Sequence, residues 1–315
     1  MISCRDDLST LEWDAYLAKL SGHPLQSALW GNAKRDIYGI CDERLALYAN
    51  NQLVALARIE KRGIQPWLMC AWIPQGPTIT TELDHQILQR YLSETLKKRH
   101  YSAYATAPWK ASHASCVDKN RKTIWIDLQC GLETLWSKLD KQWRYGVGRA
   151  RREGVSIHIA NPDDDLSYFY RLCVQISQEK KFHFQHSEAF LRYLFIQGNK
   201  DVSGTLFLAK QNQIIIAGAF VLQAGKNIHY MFGAMDRQYA SSRAGELVQW
   251  SVIEWACKQQ CVRYDLEGID SDENSSVTAF KKKMGGEIVT LSPPEIKAMN
   301  MRGKLLLPII RKKIM

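Results

Sequence analysis

The sequence has no apolar run long enough to cross a bilayer. Its longest, residues 214–222, falls far short of the ~20 that a membrane helix requires. The opening, Met1-Ile2-Ser3-Cys4-Arg5-Asp6-Asp7, offers neither an apolar core nor a small-residue cleavage site, so no signal peptide is expected. Metal-ligand spacing is equally scarce. Of eight cysteines only Cys257 and Cys261 stand close together, and no second Cys or His pair accompanies them at zinc spacing. All eight read as reduced thiols that mostly pack, in a cytoplasmic protein with no metal and no cofactor expected. What is present is ample material for folded cores. Hydrophobic residues make up 46% of the chain, with 10 Trp, 13 Tyr and 9 Phe, which excludes extended disorder. At 315 residues the chain exceeds what a single core serves, so two domains are expected. The net charge of +10 and a pI near 9.1 favour polyanionic partners such as RNA, anionic lipid or diphosphates.

One plan occurs twice along the chain. In the second half, β-rich runs at 205–209, 214–222 and 228–232 are separated by the turn at Lys210-Gln211-Asn212-Gln213 and another centred on Gly225, which predicts an antiparallel meander. A helix is expected from about 242 to 260, with Ala244, Leu247, Val248, Val252 and Trp255 on one stripe and Ser241 or Ser242 as its cap. A strand at 262–266 closes the unit. The first half repeats the order: strands at 45–49, 53–60 and 67–72, the turn Asn50-Asn51-Gln52, a helix from about 83 to 99, and a strand at 101–106. The interval from first to closing strand is nearly the same in both halves (Leu45 to Tyr101, Thr205 to Val262), which argues for duplication.

Three antiparallel strands, a helix and a further strand resemble the centre of the GNAT acyltransferase fold. The expected class is therefore α+β: two tandem GNAT-like domains, each a mixed, mostly antiparallel sheet flanked by helices. The boundaries are placed at 1–150 for the first domain and 151–290 for the second. In that fold the acyl donor lies where the last meander strand and the closing strand splay apart, beside a helix N-terminus that favours phosphate. The loop entering the second-half helix, Asp236-Arg237-Gln238-Tyr239-Ala240-Ser241-Ser242-Arg243-Ala244-Gly245, has arginines but a single glycine, out of place for wrapping a coenzyme A diphosphate.

Six further pieces occur in a fixed order. They are Gln26-Ser27-Ala28-Leu29-Trp30 with Lys34; Trp72-Ile73-Pro74-Gln75-Gly76-Pro77; Thr123-Ile124-Trp125-Ile126-Asp127-Leu128 with Leu132-Glu133-Thr134-Leu135-Trp136; a basic helix holding Arg144, Arg149, Arg151 and Arg152; Tyr264-Asp265-Leu266-Glu267-Gly268-Ile269; and Phe280-Lys281-Lys282-Lys283 with Gly285-Gly286-Glu287. This series resembles the FemABX family of peptidoglycan bridge-forming transferases, over roughly residues 26–287. The resemblance implies aminoacyl-tRNA as donor and a side-chain amine of a muropeptide precursor, lipid-linked or nucleotide-linked, as acceptor. It also implies an acceptor cleft in the first domain and a C-terminal segment, about 291–315, that packs back onto it. Since no long heptad run interrupts residues 155–200, the compact form without a helical arm is expected.

Aminolysis of an ester needs positioning and a cation near the developing oxyanion more than it needs acid–base machinery. Lys281, in the family-like Phe-Lys pair, is the candidate for that cation; a solvated lysine-rich helix face is the competing reading. Phe280 either walls the donor pocket or belongs to the core. On the acceptor side Lys34 holds the position where relatives grip a phosphate, with Trp30 in the same motif. Tyr230 matches an aromatic facing the cleft, or else a meander core tyrosine, and Asp265 and Gly268 read as a structural turn. Arg149, Arg237 and Arg243 are candidates for tRNA phosphates, which predicts steep salt dependence. The pattern departs from its relatives at Ala107, Gln185 and Ala189, where an acid, an arginine and a tyrosine are expected; the loss favours a lipid-linked or an altered acceptor over a nucleotide-linked one. The cluster His183, His186, Glu188 is not read as a metal site. Residues 302–313 mix apolar and basic side chains, suited either to docking on the first domain or to resting at the inner face of the membrane. The competing function is N-acyl transfer from acyl-CoA to another amine or a sugar; a third is a non-catalytic RNA- or membrane-binding module.

Overall fold

A computed structural model describes residues 2–65, 68–80, 85–111, 121–161, 165–181, 183–270 and 275–314. The expected strand start at Trp67 and helix start at Leu83 lie outside the described residues. The chain forms two compact units: residues 1–118 with 291–315, and residues 119–290.

The first unit is built on a seven-stranded sheet. Strands Ile2–Arg5, Asp42–Ala49, Gln52–Gln65 and Leu68–Ile73 run antiparallel in that order, followed by Ala103–Thr106 and Glu295–Ala298; the short Thr78–Ile79 pairs beside Gln52–Gln65. One pair is parallel, Leu68–Ile73 with Ala103–Thr106. The helix His85–Lys98 makes the crossover that such a pair needs. Asn50 and Asn51 both take positive φ, 49° and 63°, the turn that joins right-twisted strands most easily. Ala28–Tyr38 is a helix because Ser27 caps it, accepting from the Trp30 N–H at 3.0 Å, and Gly39 ends it in the left-handed region.

The second unit holds another seven-stranded sheet, in the order Glu287–Thr290, Lys122–Asp127, Arg263–Asp265, Asn227–Met235, Ile214–Ala224, Val202–Gln211, Ser156–Ile159. Again one pair is parallel, Asn227–Met235 with Arg263–Asp265, and again a helix, Ala244–Lys258, crosses between them. Asn212 and Gln213 repeat the positive-φ turn at 50° and 66°. Ile124, Ile126, Phe207, Ile216, Val221, Leu247, Val252 and Tyr264 lie in one core cluster beneath this sheet. Lys141–Arg152, capped by Asp140, packs Trp143, Val147 and Ala150 into the same cluster.

Two expectations change, the end of the first unit and the cap of the second-unit helix. The first unit stops at Asp118 rather than at 150, because the Lys122–Asp127 strand bonds on both sides within the second sheet and carries the basic helix with it. Residues 291–315 belong to the first unit through the pairing of Glu295–Ala298 with Ala103–Thr106. Ser241 and Ser242 do not cap the second-unit helix. They lie in a 3-10 turn, Arg237–Ser242, where the Ser242 hydroxyl donates to the Tyr239 carbonyl at 2.6 Å; the helix instead starts from Arg243 in a left-handed conformation, with no side-chain cap. Between residues 155 and 200 the described segments hold two short helices, Asp165–Glu179 and Glu188–Ile196.

Candidate functional site

The two sheets share a plan but differ where their parallel strands end. In the first, Leu68–Ile73 stays paired to its last residue, Ile73 opposite Thr106, and the Ala107 N–H adds a further bond to the Ile73 carbonyl at 3.2 Å. In the second, pairing covers only Asn227, Ile228 and His229 against Arg263, Tyr264 and Asp265. Beyond His229 the long strand runs on to Met235, while the closing strand turns away. A register shift between Phe220 and Val221 on the neighbouring strand marks the same place. A bulge there adds twist and opens the sheet. The second unit therefore has an open notch in its sheet, and the first unit's is closed.

Lys281 enters this notch from the helix Ser276–Lys282, which Ser275 caps. The side chain is only 7% exposed. Its Nζ donates to the Gly268 carbonyl at 2.8 Å and to that of Glu267 at 3.5 Å, and lies 5.8 Å from the Tyr230 ring centroid. Burial lowers its pKa, while Glu267, Asp265 and Asp270 work to keep its proton. Lys282 and Lys283 are exposed, so of the three successive lysines one is turned inward. Phe280 is half-buried against Trp143, ring centroids 5.6 Å apart, and beside the first turn of the Ala244–Lys258 helix at Gly245. It is part of the core and also stands at the helix start.

Tyr230 is the first residue past the paired segment. Its hydroxyl reaches back over Gly233, where any Cβ would collide with it, and it bonds Gln249, which also accepts from the Tyr264 hydroxyl at 2.7 Å. Burial raises the Tyr230 pKa above its ordinary value. Asp265 acts as a structural residue, accepting from the Thr123 hydroxyl, from Trp125 Nε1 at 2.9 Å and from the Glu267 N–H at 2.7 Å. Those bonds hold Glu267 at a φ of 59°, a left-handed conformation that costs a non-glycine residue energy and clusters at functional sites. The Glu267 carboxylate meets Nδ1 of the fully buried His229 at 2.7 Å.

This His229–Glu267 pair is not legible in the sequence. The two residues lie 38 positions apart, and only the parallel pairing of their strands brings them together. A cavity of about 340 Å³ adjoins the notch, lined by Cys173, His183, Phe184, His186, Phe232 and Gly233 among others. Glu188 of the supposed His183–His186–Glu188 cluster is engaged elsewhere, with Ser167 at 2.6 Å and Arg192 at 2.9 Å, while His186 stacks on Phe190.

The three arginines expected at tRNA phosphates each carry an acidic neighbour: Arg149 with Glu153 at 2.6 Å, Arg237 with Glu179 at 3.2 Å, Arg243 with Glu246 at 3.2 Å. In the first unit Lys34 is half-buried, 5.8 Å from the Tyr38 ring, its pKa lowered by burial against the pull of Glu60. Trp30 is 4% exposed, on the buried face of the Ala28–Tyr38 helix.

Comparison with known proteins agrees with this geometry. A GNAT acetyltransferase domain family model matches residues 137–282, a span that contains the notch and Lys281. The chain is 27% identical over 163 residues to the UDP-N-acetylmuramoylpentapeptide-lysine N(6)-alanyltransferase of Weissella viridescens. That match covers 48% of this chain and 47% of the relative, so it spans about half the relative's length. The crystal structure of FemX superposes with a TM-score of 0.81 at 14% identity, covering 98% of this chain and 99% of that one. A tandem GNAT protein from the clavulanic acid biosynthesis pathway superposes with a TM-score of 0.53 at 9% identity, covering 95% of this chain and 99% of that one. The fold is the tandem GNAT-like one, and the resemblance to the FemABX family extends from sequence motifs to fold.

Proposed function

We propose that this protein is a cytoplasmic aminoacyltransferase that moves an amino acid from aminoacyl-tRNA to a side-chain amine of a peptidoglycan-precursor stem peptide, in cell-wall bridge formation. The observation that carries the reading is Lys281, a buried ammonium at the open notch of a GNAT-like sheet, in a chain similar to a muropeptide alanyltransferase. The neutral amine attacks the ester carbonyl, and negative charge gathers on its oxygen. The tetrahedral adduct then collapses: the bond to the ribose oxygen breaks, the amide remains, and the ribose oxygen takes up a proton. Lys281, already holding two carbonyls, faces the developing oxyanion with its remaining N–H, and fixed charge in a dry notch is worth more than in water. Glu267, oriented by His229, receives the proton that the attacking nitrogen gives up.

Phe280 and Tyr230 wall the donor, and the aromatic cavity beside the notch seats the aminoacyl side chain. Lys34 holds an acceptor phosphate. The replacements at Ala107, Gln185 and Ala189 support a lipid-linked acceptor presented at the inner face of the membrane. A second reading, N-acylation from acyl-CoA, is favoured by the acetyltransferase domain match. Against it stands the entry to the Ala244–Lys258 helix, where a 3-10 turn and Arg243 replace a glycine-rich loop. The two readings separate when the protein is given labelled acetyl-CoA and, in parallel, mixed labelled aminoacyl-tRNAs with a muropeptide acceptor. Acid-stable label from tRNA is expected; label from acetyl-CoA alone overturns the proposal.

A further inference from the structure

The C-terminal helix, Met301–Ile314, is docked along one side only. Gly303 and Ile310 are buried; a Cβ on Gly303 would collide with the Ser102 carbonyl, and Ile310 clusters with Cys70, Ala103 and Ala105. These two residues, seven apart, share a face of a helix with ~3.6 residues per turn. Met301, Leu305 and Ile309, spaced by four, fall on the opposite face and are 73%, 71% and 45% exposed. On the same helical geometry Arg302 borders this stripe on one side and Lys304 with Arg311 on the other, while Lys312 lies along it; all four are exposed. Near the helix start the basic border continues into a cavity of about 560 Å³ lined by Lys97, His100 and Arg302 among others.

We infer that this face is a membrane-surface contact, whose partner is an anionic phospholipid bilayer. Three large apolar side chains in register contribute nothing to binding RNA or free phosphate, but they suit the boundary between headgroups and acyl chains. Flanking lysines and arginines snorkel outward to lipid phosphates, each raising partition about fivefold at an anionic surface. No helix among the described residues is long and apolar enough to span a bilayer, so the contact is interfacial. The inference rests on the transfer reading for its purpose, to hold the enzyme where a lipid-linked acceptor lies, but its test needs no turnover.

The full-length protein is sedimented with vesicles of pure phosphatidylcholine and of phosphatidylcholine with phosphatidylglycerol. Binding to the anionic vesicles is expected, weakening with salt, with little binding to the zwitterionic ones. Leu305→Glu with Ile309→Glu should lower that partition at least tenfold without shifting the melting temperature, since both side chains already face solvent. Lys304→Gln with Arg311→Gln should lower it severalfold and flatten its salt dependence. Absence of binding at low salt, or undiminished binding by the glutamate pair, overturns the inference, as does loss that tRNA competition reproduces in full. Turnover on a soluble muropeptide by the glutamate pair is expected unchanged. Failure of the transfer reading would instead appear as no turnover in any variant while vesicle binding persists.

Discussion

Lys281 carries a conflict that defines its role. Burial of an ammonium is unfavourable, and two carbonyls with an aromatic face compensate it only in part, as its lowered pKa records. A residue kept for stability alone would be apolar here. Lys281→Met is therefore expected to remove transfer, by at least ~10²-fold in kcat, on the scale of losing an oxyanion donor. The melting temperature should stay level or rise, as happens when a strained functional residue is relieved. Activity assayed beside a thermal melt of the same preparation checks both. A large drop in melting temperature with residual turnover would make Lys281 a structural residue.

Glu267 carries a second conflict, a left-handed backbone at a residue with a Cβ. Gly268 beside it would take that φ more cheaply, so the glutamate side chain must serve a purpose. Glu267→Gln keeps the size and a hydrogen bond to His229 but cannot accept a proton as a carboxylate does. It should lower kcat by about 10²-fold with little change in acceptor KM. The pH profile discriminates further. Lys281 must be protonated to stabilise an oxyanion, so activity should fall at alkaline pH through a value below the ordinary 10.5. Glu267→Gln removes the foremost charge that keeps Lys281 protonated, so the variant's alkaline limb should move to lower pH; an unmoved limb would assign it to another group.

At the scale of elements, the strands, turns and crossover helices of both halves follow their hydrophobic periods, and the expected meanders appear with ends displaced by a few residues. The Asn50-Asn51 and Asn212-Gln213 turns follow from residues that tolerate positive φ. What periodicity leaves unwritten is pairing across distance. The sheet assignment of Lys122–Asp127 depends on partners at 263–265 and 287–290, so composition alone puts the domain boundary too late. Lys281 is legible as a motif, whereas its inward turn is not, because three successive lysines look alike until the helix is docked. The arginines were legible as cations, but their glutamate partners come from other helices or from one turn further along the same one.

Docking of the C-terminal helix illustrates how one residue without a side chain sets a long-range contact. Gly303 lies so close to the Ser102 carbonyl that even a methyl group would force the helix outward. Gly303→Ala raises intrinsic helix propensity, which by itself would stabilise by about 1 kcal/mol. The collision with backbone should outweigh that, giving a net loss of roughly 1–3 kcal/mol typical of overpacking. Urea unfolding, together with limited proteolysis after the 295–298 strand, measures it. Net stabilisation would mean that the helix is free to shift.

For the whole molecule, acid is the expected point of failure, and Glu60 shows why. It is 3% exposed in the first unit, with Arg58 at 2.9 Å on one oxygen and Arg62 on the other. Burial works against its charge, but the two guanidiniums and Lys34 outweigh it, leaving its pKa below the ordinary 4.5. A depressed folded value means that the unfolded chain binds the proton first. The contribution to stability is therefore complete above about 4.5 and disappears as pH falls through the lower, folded value. Over that same range the other carboxylates of a chain already at +10 are neutralised, so repulsion among its 42 lysines and arginines grows. Both effects have one sign: the urea midpoint should hold steady through neutral pH and fall steeply below about pH 4.5. Glu60→Gln separates them. Leaving Arg58 buried without its carboxylate should cost roughly 3–5 kcal/mol at pH 7. The variant's curve should then approach that of the wild type as acid removes from wild-type Glu60 the charge that the variant already lacks. Parallel curves at all pH values would place the acid sensitivity outside the Arg58–Glu60–Arg62 group.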